Sequence, residues 1–542
     1  MRETCDSLGK DEMRHERCEV VGGSGPTRCI RGFLVLGLIA ISWVTQSQAQ
    51  SDPNAQLEQA ASLLAQGKLG QAEALVTNIL TENNRLGAAH ELLGRICDAQ
   101  QHYEEAEKAY RRAIELEPGR AAPHNSLGVS LSRRGEPEKA AKEFQLALQI
   151  DPRNLAASSN LATLLLQNKD YANAIKYFEA AHGIKPDDPA ILLGLATAYS
   201  STKETHKVLE VAEAMSRLAT AGPQVRFDLG LLLAENGAYP QAAAEFEKAA
   251  QEGIPTAELF LDLGRVHSRM GQYDKAKADY FHSIEISSDD ARPYLRVGAD
   301  YLARQKVPQA LVWLMRAVRL SPRDPEALYL YGTALVNGQY FQTAQTYLRT
   351  YTELQADDPK GWLVLGDAYL NDMQFESALD SYKKALGLVP QLASVHYLIG
   401  YTYYVHKDLE NAKKYLAEAL KLDPMYLEAH LRLAEIAYRE NHDDESVKEL
   451  QFVLARRPRH ADANFDLAKV YVRRQRFEEA RKILVEEAQE FPEDPRYHYL
   501  LAQVYRGTGK AEDANRETRL FRSLEEKQDM IHQHVRHYVY VE

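Results

Sequence analysis

One ruler runs the length of this chain. Five Asp-Pro pairs stand on it, at 52–53, 188–189, 324–325, 358–359 and 494–495, separated by 136, 136, 34 and 136 residues, and 136 is four times 34. Asp is a favoured N-cap because its carboxylate accepts from the free N–H groups of a first helical turn. Pro is tolerated at the first helical position, where its missing N–H would have gone unpaired. The pairs therefore read as helix starts in a chain of repeated units. With position 1 at Pro53, frames begin at 53, 87, 121, 155, 189, 223, 257, 291, 325, 359, 393, 427, 461 and 495. These fourteen frames need no insertion or deletion as far as residue 528. A period of this size means stacked supersecondary units, each covering the apolar face of its neighbour.

The frame assigns a task to each position. Position 8 is Gly or Ala throughout, for example Gly94, Ala162, Gly230 and Gly366. Position 20 is Ala in twelve frames, with Val208 and Ser446 as the exceptions. Small residues at fixed points of two successive helices let the backbones approach closely. Aromatics recur at position 17 (Tyr103, Tyr171, Phe375) and position 24 (Tyr110, Phe144, Phe246, Tyr382). Pro at position 32 (Pro118, Pro152, Pro322, Pro458) disfavours helix in the residue before it and closes the unit.

Small at 8, aromatic at 11, 17 and 24, Ala at 20 and 27, and Pro at 32 resemble the tetratricopeptide repeat. Frame 87, "GAAHELLGRICDAQQHYEEAEKAYRRAIELEPGR", carries much of the pattern. The resemblance implies an all-α, right-handed α-solenoid of about fourteen 34-residue helix-turn-helix repeats with a concave groove. Position 11 departs in several frames (Leu131, Leu165, His267), and frame 189–222 departs most, with Val208 at position 20 and no Pro at 32.

Three segments follow: an N-terminal extension (1–49), the repeat region (50–528) and a C-terminal end-cap and tail (529–542). In the extension, Arg28 and Arg31 precede the apolar run Gly32–Val44, and Ser47 and Ala49 occupy small-residue cleavage positions. That arrangement is a bacterial-type secretory signal, and its 13-residue core is short for a membrane-spanning helix. The expected location is the periplasm or cell envelope, with cleavage after Ala49. The alternative is an inner-membrane anchor formed by residues 32–44. The acids crowded into residues 1–19 place the expected start at Met13 or later.

Sequence chemistry points away from catalysis. "GGSG" at 22–25 lacks the Gly-Lys-Ser/Thr of a phosphate loop, and "HEL" at 90–92 is not followed by the second His of a zinc-protease helix. His532, His534 and His537 match no metal-ligand spacing, and the cysteines (Cys5, Cys18, Cys29, Cys97) form no C-x2-C pair. The expectation is a chain with no enzymatic activity, cofactor or metal. A formal net charge of -12 argues against nucleic acid.

Binding is a separate matter. The resemblance implies that positions 2, 5, 9, 12 and 13 of each first helix line the groove. At those positions stand Tyr397, Tyr401 and Tyr404, an i, i+4, i+7 stripe on one helix face, with Tyr329, Tyr438, Phe465 and Tyr499 in nearby frames. Lys469, Arg439, Arg473 and Arg506 sit among them. Tyrosine combines apolar area with a polar handle, and Tyr and Arg are enriched at binding hot spots. The groove is therefore expected to take one or more proteins or extended peptides bearing acidic residues. The alternative ligand is a polysaccharide, as in a helical-repeat subunit of a polysaccharide-export system. A chaperone-tail carboxylate clamp is not expected, since Asn125 and Asn160 lack the surrounding set.

Overall fold

The structure is a computed structural model describing residues 52–218 and 221–539, with side chains to residue 527. The extension 1–49 with its apolar run lies outside the described residues, as do the side chains of His532, His534 and His537. The described residues form 28 helices in fourteen pairs and no strand. We number the pairs as repeats 1 to 14, each with a first and a second helix.

All fourteen first helices begin at position 1 and run 13 residues, from Pro53–Ala65 in repeat 1 to Pro495–Gly507 in repeat 14. The five Asp-Pro pairs at repeat starts act as caps: Asp324, for example, accepts from the backbone N–H groups of Glu326 and Ala327 at 2.8 and 3.1 Å, whereas Asp151-Pro152 and Asp423-Pro424 stand at the ends of second helices. Between first and second helices, position 15 is left-handed in every repeat. Its φ lies between 58° and 77°, yet only five of the fourteen residues are glycine. The next residue's N–H then returns to the carbonyl five back, as from His102 to Cys97 at 2.8 Å. This closes the first helix in a Schellman-type turn. Residues such as Lys169 and Met373 hold this geometry at a cost of roughly 1 kcal/mol each. Packing on both sides offsets it.

The core is built from the small positions. Position 20 is almost fully buried in all fourteen repeats, Val208 and Ser446 included. The side chain at position 24 lies directly on position 8 of its own repeat. A Cβ on Gly366 would fall 2.4 Å from the Tyr382 ring, and one on Gly230 2.6 Å from the Phe246 ring. The sequence pattern is thus a matched pair, a missing side chain and the ring that fills its place.

Consecutive first helices touch one another along the array, whereas no two consecutive second helices make comparable contact. The first helices therefore line the inner, concave side. Contacts between them recur at 35 residues: Asn160 donates to Asn125 at 2.9 Å and Arg439 to Tyr404 at 2.6 Å.

Repeat 5, frame 189–222, keeps both helices, but its second, Thr205–Ser216, is two residues shorter than Tyr239–Glu252 of repeat 6. Its size pattern is reversed. Val208 stands where Ala is the rule, Ala212 where most repeats place a large side chain, and Met215 at position 27 is fully buried. At the C-terminal end a single helix, Ala511–Val539, runs from the last repeat across the 528/529 boundary.

Candidate functional site

The first helices of repeats 11 to 13, Ala393–Val405, Leu427–Arg439 and Ala461–Arg473, carry the candidate surface. The i, i+4, i+7 spacing places Tyr397, Tyr401 and Tyr404 along one face of the first of these. Their rings lie nearly parallel, with centroids 5.9 Å apart at 15° and 6.3 Å apart at 23°. All three are half-buried, and Tyr397 and Tyr404 rest on the apolar cluster beneath. Tyr426, from the loop between repeats, adds a ring 5.1 Å from Tyr397.

The next helix supplies cations over this stack. The Arg432 guanidinium lies 5.6 Å from the Tyr401 ring and 5.9 Å from that of Tyr404. Arg439 lies 4.5 Å from the Tyr404 ring and donates to its hydroxyl at 2.6 Å. Such contacts stabilise by about 0.5–2 kcal/mol each, more when water is excluded. Burial, with Glu435 as hydrogen-bond acceptor, pushes the Tyr404 hydroxyl up to about 12. It therefore stays a neutral hydroxyl throughout the physiological range.

The pattern repeats one unit on. Arg473 lies 3.7 Å from the Tyr438 ring and donates to the Tyr438 carbonyl at 2.7 Å. Lys469 lies 4.7 Å from Tyr438 and 5.5 Å from Phe465. Eight of the sequence-derived residues, Tyr397, Tyr401, Tyr404, Tyr438, Arg439, Phe465, Lys469 and Arg473, thus sit on three successive first helices. The other three lie elsewhere. Tyr329, in repeat 9, packs against Tyr351 at 5.3 Å, and its hydroxyl is shifted upward by burial. Tyr499 and Arg506, in repeat 14, meet the terminal helix through Phe521 (5.4 Å) and Thr518 (3.1 Å).

Sequence reasoning missed Arg432 and Glu435, which complete the cluster. Arg432 stands 35 residues after Tyr397, the offset at which Arg439 meets Tyr404, and that offset is set by the packing of neighbouring first helices. Glu435 neutralises Arg432 at 2.6 Å. Asp466 does the same for Lys469 at 2.9 Å, and Asp443 pairs with Arg473. Arg439 and Arg506 have no carboxylate within ion-pair distance among the described residues. No group of three His, Cys, Asp or Glu side chains among the described residues is placed to hold a metal ion.

On the same face one repeat earlier, position 9 is Asp367, partly buried, with Tyr382 donating to it at 2.6 Å. Burial raises its carboxyl above the usual range, against the smaller lowering effect of that hydrogen bond. A carboxyl with a raised folded-state pKa makes the ionised protein less stable above that pKa, and the cost fades as pH falls below the unfolded value. Asp367→Asn keeps an acceptor for Tyr382 and removes the partly buried charge. It is expected to raise stability by about 1 kcal/mol at neutral pH. The gain should shrink toward zero near the bottom of the carboxylate range, as read from urea unfolding at the two pH values. A gain that grows on acidification would contradict the assignment.

Sequence models of the tetratricopeptide repeat match residues 165–228 and 444–504, residues 125–189, 210–257 and 333–393, residues 393–426, and residues 257–290. A model described as the C-terminal ARM domain of tetratricopeptide repeat protein 21 matches residues 36–131. Comparison with curated protein sequences gives no match. Among solved structures, the chain is similar to YrrB, described as a TPR protein with an unusual peptide-binding site. That likeness has 24% identity and a TM-score of 0.33, and covers 34% of this chain and 96% of YrrB. It is also similar to MamA 41-end from Desulfovibrio magneticus RS-1, at 20% identity, TM-score 0.31, and 32% and 98% coverage. A chain of the APC/C hetero-tetramer Cut9-Hcn1 matches at 16% identity, TM-score 0.34, and 71% and 90% coverage. With fourteen helix pairs held in one 34-residue register, and repeat models matching along more than half of the sequence, the chain belongs to the tetratricopeptide repeat family.

Proposed function

We propose that this chain is a non-catalytic scaffold that holds partner proteins or extended peptides against the concave face of repeats 11 to 13. The observation that carries this reading is the parallel stack of Tyr397, Tyr401 and Tyr404, with the Arg432 and Arg439 guanidinium groups over it. A rigid aromatic surface offers apolar contact at low cost in side-chain entropy, and its hydroxyls and guanidinium groups supply directional bonds. The secretory-type segment at 32–44 supports the cell envelope as the working location, with the export signal cleaved after Ala49. A second reading, polysaccharide binding, is favoured by the same near-parallel rings, on which sugar rings could stack.

The test is capture from envelope extract by the immobilised chain, beside a Tyr397→Ala, Tyr401→Ala, Tyr404→Ala variant of matched helical content. A specific protein held by the parent and lost by the variant is the expected result. Equal capture by both would remove this face as the contact surface. Binding of purified polysaccharide by the parent, with no protein captured, would put the second reading in its place.

A further inference from the structure

Resting on that reading, we infer that the groove is an acidic-peptide site read by Arg439, with Arg506 as a second anion contact toward the C-terminal end. The sequence offers several cations along this face that look alike, and the structure divides them. Arg432, Lys469 and Arg473 are each paired with a carboxylate, Glu435, Asp466 and Asp443 respectively, Asp443 also meeting Arg474 at 3.4 Å. Their charge is spent inside the protein, and what remains is their packing over Tyr401, Tyr404, Tyr438 and Phe465.

Arg439 differs. It is exposed, it closes the first helix of repeat 12, and its described contacts are with Tyr404, through the ring and the hydroxyl. Five N–H donors in a planar fork, one of them used, leave a face that suits a carboxylate. The Tyr404 ring holds that fork in place, so little rotamer freedom is left to lose on binding. Arg506 is likewise exposed, and among the described residues its side chain bonds Thr518.

A chain of formal net charge -12 thus keeps, among the described residues, two cations without an ion pair, Arg439 and Arg506, on the first helices of repeats 11 to 14, the stretch that carries its aromatic stack. The complementary occupant is an extended segment that alternates acidic and apolar side chains. Its carboxylate would meet Arg439 while a neighbouring apolar group lies on Tyr401 and Tyr397. Lys469 and Arg473, already neutralised, would supply contact area and no net attraction.

The experiment uses the full chain and three fluorescein-labelled peptides of equal length, alternating Leu with Glu, Gln or Lys, followed by anisotropy at two salt concentrations. Arg439→Gln and Lys469→Gln change the net charge equally, so a difference between them reports local reading and not the overall field. The Glu peptide is expected to bind most tightly and to weaken about tenfold in Arg439→Gln. In Lys469→Gln it should weaken by less than about threefold, the scale of a screened, already paired charge. Equal binding of the three peptides, or equal loss in the two variants, would overturn the acidic preference while leaving the tyrosine face as a contact surface. Absence of binding by any peptide, together with partner capture unchanged in the tyrosine variant, would overturn both.

Discussion

Truncating Tyr382 to alanine is expected to destabilise the array by about 4 kcal/mol or more, among the largest effects of any single side chain. The ring is fully buried and lies on Gly366, whose missing Cβ creates its seat. Removing a buried aromatic ring typically costs about 3–5 kcal/mol, because neighbours relax only partly into the cavity. Here the loss also strips Asp367 of the hydroxyl that donates to it at 2.6 Å, leaving a partly buried carboxylate without its partner. Tyr382→Phe separates the two contributions, since it keeps the ring and deletes the hydroxyl. Urea unfolding followed by helical signal should rank the variants parent, Tyr382→Phe, Tyr382→Ala. Placing Tyr382→Ala on an Asp367→Asn background should recover part of the loss. A Tyr382→Ala cost no greater than that of Tyr382→Phe would show that the ring–glycine seat does not hold the repeat together.

Arg226→Met is the second large effect, and it acts at the irregular repeat. Arg226 and Glu245 are both buried, with side chains 7% and 4% exposed, and face each other at 3.1 Å. Arg226 also bonds Glu252 at 2.8 Å and the Leu218 carbonyl at 3.2 Å. The last of these bonds matters because the second helix of repeat 5 ends early, at Ser216, and no Pro closes that frame. Arg226 thus ties the connecting segment of a shortened repeat to the next pair. Removing one member of a buried ion pair typically costs about 3–5 kcal/mol, since the other charge is left without compensation. Lys248, 2.7 Å from Glu245 and partly exposed, offsets some of that. The double variant Arg226→Met, Glu245→Met is expected to be more stable than Arg226→Met alone. A double variant as damaged as the single one would mean that packing, and not the stranded charge, sets the cost.

The legible part of this fold is what depends on one repeat at a time. Helix starts at the Asp-Pro pairs, the small residues at 8 and 20 and the rings at 24 all act within one repeat or between touching neighbours, so a fixed spacing reveals them. The left-handed residue at position 15 was not legible, because Lys169, Lys203, Gln305 and Met373 give no glycine signal at a place where the turn compels positive φ. The tyrosine stripe was legible because its three members share one helix. Its completion was not, since Arg432 reaches it from the next repeat, and the 35-residue offset emerges only once the first helices are seen side by side. The division of cations into neutralised and free was legible only in part. Asp466 sits three residues before Lys469 on the same helix, whereas Asp443 reaches Arg473 from 30 residues away.

The concave tyrosine face as the contact surface is tested most directly by amide hydrogen exchange of the chain, alone and with the protein it captures. The account predicts slowed exchange concentrated in Ala393–Val405, Leu427–Arg439 and Ala461–Arg473, with the second helices of the same repeats unchanged. Protection confined to those second helices, or to the N-terminal repeats, would contradict it.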